Sequence, residues 1–222
     1  MISSELLSPT LAEQALWMSA PLLLLAIARA PWIELFSDAR RQHLLFGSTF
    51  ALLLLWLVQR DFDGGVSFHF LGLTAAVLLL DWPLAVLAGA VAQAGLILLG
   101  QLDVDAWGFN FLLWVALPVA IAEGCALWVE RQQPRNLFVY IFLCGFFPAA
   151  LTAMLVALLG LWILQADGFE LPFWLQDYAG YLWLIMFPEA FINGTVVSAL
   201  VIFKPEWLET FNRTRYLQAP WK

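Results

Sequence analysis

The chain has 222 residues, of which 63% are hydrophobic and only 12% charged, with 12 tryptophans and a mean hydropathy of +0.83. That composition excludes an ordinary soluble domain. A formal net charge of -7, with no basic run interleaved with aromatics, argues against nucleic acid as a partner.

A bilayer core takes about 20 apolar residues per crossing helix, so the apolar runs predict an all-α, polytopic membrane helical bundle in contact with lipid. Seven transmembrane segments are expected: Leu11 to Ala30, Leu44 to Gln59, His69 to Leu80, Pro83 to Leu99, Trp107 to Val129, Leu137 to Leu164 and Tyr178 to Phe203. Residues 1–203 then form a single transmembrane domain and residues 204–222 a short cytoplasmic tail. The third segment is short for a full crossing: either it tilts little or it dips into the bundle behind a polar opening. The first apolar run has neither a positive flank before it nor a small-residue cleavage site, and it reads as a retained span.

Lys and Arg accumulate on the cytoplasmic side of membrane proteins. In this arrangement Arg29, Arg40, Arg41, Arg131, Arg135, Lys204, Arg213, Arg215 and Lys222 share one side and Arg60 alone lies opposite. The N-terminus is therefore expected outside and the C-terminus in the cytoplasm. Glu5, Glu13, Asp61, Asp63, Asp103, Asp105, Asp167, Glu170 and Asp177 gather at the outer side. Either they concentrate cations by electrostatic focusing, or the outer loops simply lack basic residues.

Between the second and third runs lies Asp61-Phe62-Asp63-Gly64-Gly65-Val66-Ser67-Phe68-His69, a polar stretch ending in one of two histidines. His69 reads in two ways. As a metal ligand it requires a neutral imidazole; as a structural residue it hydrogen-bonds a carboxylate such as Asp61 or Asp63. Ala85, Ala88, Gly89, Ala92 and Gly95 recur at helical spacing and mark a packing face. Glu123 and Glu189 are ionisable groups at membrane depth, which are costly and normally face protein or water. With Asn110 they are candidates for an intramembrane polar relay, or equally for hydrogen bonds that hold helices together. Cys125 and Cys144 read as apolar packing residues with no disulfide expected. Asn193-Gly194-Thr195 matches a glycosylation acceptor only in letters, since it falls inside the last span. The tail, with Trp207, Phe211, Arg213, Arg215 and Tyr216, either docks a partner or lies at the membrane interface.

Several segments resemble the CbiM/NikM family, the membrane substrate-capture subunits (permeases) of energy-coupling-factor importers for cobalt and nickel. Met1-Ile2-Ser3-Ser4-Glu5-Leu6-Leu7-Ser8-Pro9 is similar to that family's opening, which runs Met-His-Ile and then to Leu-Ser-Pro. Gly64 to Gly72, followed by Ala75 to Pro83, is similar to its Gly-Gly, Ser-x-His-Leu-x-Gly and Gly-Pro-Trp sequence. Gly108-Phe109-Asn110 resembles its Gly-Ala-Asn, and Pro188 to Val197 its last-helix Gly-Glu-x-x-Ile-Thr segment.

The resemblance implies capture of a divalent transition metal at the outer face of a bacterial-type inner membrane. Nitrogen ligands would come from the Met1 amine, the second residue and His69. Such a set suits nickel, with cobalt close behind. Here the second residue is Ile2, whose side chain has no donor. His43, on the other side, does not replace it. A set of Met1, His69 and carboxylates from Glu5, Asp61 or Asp63 is harder and favours zinc, manganese or iron.

No Walker A sequence is present and the cytoplasmic loops are too short for a nucleotide-binding domain. Energy would come from separate cytoplasmic ATPases through a membrane coupling subunit, as the resemblance implies. The alternative is a non-transporting binding or assembly subunit that keeps the scaffold and has lost the metal site. An intramembrane enzyme has least support, there being no His-Glu-x-x-His and no Gly-x-Ser-x-Gly.

Overall fold

The computed structural model describes residues 1–62, 66–168 and 182–218. It is a helical membrane bundle. Helix α1 spans Pro9–Arg29, opened by Ser8, whose hydroxyl accepts from the Leu11 amide, and by Pro9 at the first helical position. A short α2, Trp32–Ser37, leads to α3, Ala39–Leu57, which Asp38 caps through the Arg40 amide. A hairpin of β1, Arg60–Phe62, and β2, Val66–Phe68, pairs Asp61 with Ser67 across an antiparallel ladder. Then come α4, Leu73–Leu80, and α5, Trp82–Leu98.

The next two long helices are interrupted in the same way. Helix α6, Trp107–Phe111, passes through a π-helical turn at Leu112–Ala116 into α7, Leu117–Gln132. Helix α8, Leu137–Tyr140, passes through a π-helical stretch at Ile141–Phe146 into α9, Phe147–Ala166. Pro118 and Pro148 each follow one of these turns by two residues. A proline lacks the amide that an α-helix needs and its ring collides with the carbonyl four residues back; those carbonyls belong to Trp114 and Cys144, inside the widened turns, which relieve the collision without ending the helix. The last helix, α10, covers Leu182–Phe203.

Among the described residues, four helical segments are long and apolar enough to cross a membrane: Pro9–Arg29, Trp107–Gln132, Leu137–Ala166 and Met186–Phe203; Trp82–Leu98 is apolar but shorter. The structure redraws the expected third span, and the first residues of the expected seventh, 178–181, lie outside the described residues. Its helix begins at Leu73, not His69, and its eight residues span only about 12 Å, against a hydrocarbon core of about 30 Å. Gly72, left-handed at φ 70, turns the chain into α4, so that His69 to Gly72 run as non-helical backbone shielded by protein. The small-residue stripe of α5 does pack: a Cβ at Gly89 would lie 2.7 Å from the Val115 side chain.

The tail also departs from expectation. It folds back on the bundle, burying Leu208, Phe211 and Tyr216, and Phe211 and Tyr216 pack against Tyr140. Arg215 makes a two-pronged contact with Glu130 at 2.7 Å per bond, and Glu209 takes Arg41 at 2.8 Å. These residues clasp the C-terminal end of the chain onto the bundle, and burying their rings gains about 1.5–3 kcal/mol each.

Gly72→Ala tests the turn into α4. It forces a side chain into a left-handed backbone with its Cβ 2.8 Å from Leu55 Cδ2, and should cost about 1–2 kcal/mol, or roughly 2–8 °C in the unfolding midpoint. Gly124→Ala, with open space around its Cβ, should leave the midpoint unchanged or raise it.

Candidate functional site

The site begins with the first residues of the chain, which are tied into the bundle. The Met1 amino group donates to the Ser67 carbonyl, and the Ser67 amide donates back to the Met1 carbonyl at 2.7 Å, so Met1 extends the hairpin as a further edge. Ile2 is bonded on both sides by one amide: its N–H donates to Asn110 Oδ1 at 2.9 Å, and Asn110 Nδ2 donates to its carbonyl at 2.8 Å. Asn110 also donates to Ala106 O at 2.9 Å. Met1 and Ile2 are each only 4% exposed.

The following turn is held by acids. Asp103 accepts from the Ser4 amide at 3.0 Å and the Ser4 hydroxyl at 2.8 Å. The Ser4 amide, then its hydroxyl, holds the Asp103 carboxyl below the usual carboxylate range. Asp167 takes the Ser8 amide at 2.8 Å and its hydroxyl at 2.7 Å. Gly108 lets α1 approach, since a Cβ there would sit 2.7 Å from the Leu16 backbone nitrogen.

His69 lies in the segment between β2 and α4. Its ring is packed between two indoles, with centroids 5.7 Å from Trp56 and 4.6 Å from Trp114. Its Nδ1 is 2.9 Å from the Phe70 carbonyl. A carbonyl only accepts, which assigns the proton to Nδ1 and leaves a lone pair on Nε2. That Nε2 is buried and has no hydrogen-bond partner.

The backbone around the ring is fixed from three directions. Trp56 Nε1 donates to the Leu71 carbonyl at 3.0 Å. The Glu189 carboxylate accepts from the Leu71 amide at 2.8 Å and from the Gly72 amide at 2.9 Å. One turn along α10, Asn193 Oδ1 accepts from the Ala75 amide at 3.0 Å while its Nδ2 donates to Glu189 Oε1 at 2.6 Å. Glu189 and Asn193 thus supply in trans the acceptors that the first turn of α4 lacks, at the positive end of the helix.

The sequence-selected residues divide accordingly. Met1 bonds Ser67, two residues before His69. Asp61 stands opposite Ser67 in the ladder, which brings its backbone into the same patch. Asp63 lies outside the described residues. Asn110, Glu123 and Glu189 share no hydrogen-bond partner: Asn110 holds the chain start, Glu189 holds α4, and Glu123 is half-buried beside Glu130 and Glu209 at the opposite end. His43 is exposed in α3, on the end that carries Arg40 and Arg41. Among the described residues no three His, Cys, Asp or Glu side chains gather as a metal cage. Trp56 and Trp114 carried no signal in the sequence; Asp103 was read only as one of the outer acids and Asn193 only as part of a false glycosylation acceptor, although its four-residue spacing from Glu189 pointed to a shared helix face.

A family model for the cobalt uptake substrate-specific transmembrane region, CbiM, matches residues 2–207. The chain belongs to the CbiM family. Two crystal structures, described as those of a transition metal transporter and a truncated transition metal transporter, share its fold. The first has a TM-score of 0.68 at 19% identity, covering 90% of this chain and 92% of that one. The second has a TM-score of 0.62 at 16% identity, covering 90% and 97%. No characterised protein matches the chain closely by sequence alone. As a CbiM-family chain it is a membrane component of metal transport, not an enzyme.

Two outcomes follow for the clamps. Glu189→Gln turns one acceptor toward donors and should destabilise the protein by about 1–3 kcal/mol, whereas Glu123→Gln should change stability by less than about 0.5 kcal/mol; thermal unfolding in detergent compares them. Asp103, with its folded pKa depressed, contributes above the ordinary aspartate range and loses that contribution as pH falls through the folded value. Asp103→Ala should therefore lower the amide-exchange protection factors of Ser4 to Leu7 at neutral pH to those the wild type shows in acid.

Proposed function

We propose that this chain captures a divalent transition-metal cation where Met1 meets His69, as the substrate-binding membrane subunit of an energy-coupling-factor-type importer in a bacterial-type inner membrane. The observation that carries the reading is the buried, partnerless Nε2 of His69, two residues along the chain from the Ser67 carbonyl that takes the amino group of the buried Met1. A buried polar atom left unsatisfied is costly, and an imidazole lone pair and a neutral amine are both good ligands for late first-row metals. Binding would release a proton from the Met1 ammonium, so uptake into the site should weaken in acid. Energy would come from separate ATPases through a membrane coupling subunit.

Nickel in an all-nitrogen square is the less favoured cargo here. Ile2 offers no side-chain donor, its Cδ1 lies against Gly160, and its amide is engaged by Asn110. Cobalt or zinc, which accept two nitrogens with oxygen completing the set, fits better; manganese and iron are the harder alternatives, with carboxylates such as Asp61 or Asp63 completing the shell. The same Ile2 favours the second reading, a subunit that keeps the scaffold without capturing metal.

The deciding experiment is metal titration of untagged protein. Wild type should bind one equivalent of cobalt or zinc, and His69→Ala should lose that binding. Extending the chain by two residues ahead of Met1 should weaken it at least as much, because the amino group is enclosed. Equal, undetectable binding in all three would establish the scaffold reading.

A further inference from the structure

An open groove of about 980 Å³ runs down the side of the bundle between α1 and α5. Leu16, Leu23 and Ile27 of α1 form one wall, and Leu87, Val91 and Ile97 of α5 the other. Leu16, Ile27 and Val91 stay exposed, so none of the described residues covers this apolar surface. Its dimensions are those of one leaflet. Glu13 to Ile27 is about 21 Å of helix and Leu87 to Ile97 about 15 Å; half a bilayer is about 20–22 Å with its headgroups and about 15 Å without them. The end of the groove nearest the chain start is acidic, lined by Glu5, Glu13 and Asp105. Among the described residues Glu5 and Asp105 make no ion pair, and Glu13 accepts only from the Trp17 indole, at 3.3 Å. Trp17, and Trp107 which lines the groove, place this end where indoles sit between headgroups and hydrocarbon.

Three acids without a cation, at the head of an apolar channel one leaflet deep, are complementary to a ligand with an ammonium group and a hydrocarbon tail. A neighbouring protein span supplies that charge poorly. Arg40, Arg41, Lys204 and Arg215 of this chain make their ion pairs at the opposite end, and the spans of membrane proteins share one sidedness of Lys and Arg. We propose that the groove binds one phosphatidylethanolamine, with its acyl chains between α1 and α5 and its ammonium among Glu5, Glu13 and Asp105. A primary ammonium carries three donors, and hydrogen bonds from it to carboxylates are of the strong, charge-assisted kind. A choline headgroup has no N–H to donate, and a glycerol headgroup sets an uncompensated phosphate against like charge. Leu7 and Gly108 line the same groove, so the lipid completes the packing behind residues 4–7, which follow the buried chain start. The site does not depend on metal capture.

The test is native mass spectrometry of delipidated full-length protein titrated with palmitoyl-oleoyl phosphatidylethanolamine, phosphatidylcholine and phosphatidylglycerol. The wild type should retain one phosphatidylethanolamine, roughly tenfold more tightly than phosphatidylglycerol, with phosphatidylcholine between them. Glu5→Gln, Glu13→Gln and Asp105→Asn combined in one protein should abolish that order of preference while the chain site persists. Val91→Trp, which fills the groove from an exposed position, should lose the retained lipid whatever its headgroup. Equal retention of the three lipids by the wild type, a preference untouched by the acid substitutions, or full retention by Val91→Trp would each overturn the proposal. A photo-crosslinking residue placed at Val91 and irradiated in native membranes identifies the occupant directly. A phosphatidylethanolamine adduct is expected, and an adduct with another protein in its place would overturn the proposal.

Discussion

A polar backbone segment buried in a membrane bundle must have every N–H and C=O answered by protein, because no bulk water reaches it. The start of this chain is such a segment, and the architecture around Met1 and Ile2 follows from that constraint. Helices meet it internally, but an extended strand does not, so it needs partners from elsewhere. Ser67 of the hairpin takes one edge and the side-chain amide of Asn110 takes the other. Asn suits the task because its donor and acceptor lie side by side in one plane, as the edge of a strand does.

The same requirement shapes the segment that carries His69. Four residues of irregular backbone enter the bundle before α4 begins, and the exposed amides at that helix start are met by Glu189 and Asn193 from the far end of the sequence. A carboxylate at a helix N-terminus gains from the helix dipole as well as from hydrogen bonds. A single acid can therefore be held in an apolar setting where it would otherwise be costly. The first and last parts of the chain thus converge on one short loop, and the imidazole between two tryptophans is positioned by residues more than a hundred positions away in the sequence.

Much of this fold was readable in advance because composition and apolar run length report directly on a bilayer. The long helices fall close to the predicted runs, and the two π-helical turns are foreshadowed by Pro118 and Pro148. The short third segment was visible as too short, but its start at Leu73 was not: that depends on the left-handed Gly72 and on acceptors borrowed from α10, which no local pattern encodes. Glu189 was legible as an unusual buried acid, while its role was not, since a relay and a clamp place the same residue type at the same depth. Trp114 was invisible among 12 tryptophans, because only tertiary packing distinguishes a lipid-facing indole from one set against an imidazole. The tail's aromatic and basic residues suited an interface by composition, yet Tyr140, Glu130 and Arg41 offered them partners within the chain.

The central claim is that metal is held between the Met1 amino group and His69, enclosed by the hairpin and the bundle. Anomalous diffraction from crystals of the untagged protein grown with cobalt(II) tests it most directly. The account predicts one peak within about 2.0–2.2 Å of both the Met1 nitrogen and His69 Nε2. A peak instead in the acidic cleft of Glu123, Glu130 and Glu209, or no ordered metal at all, would contradict it.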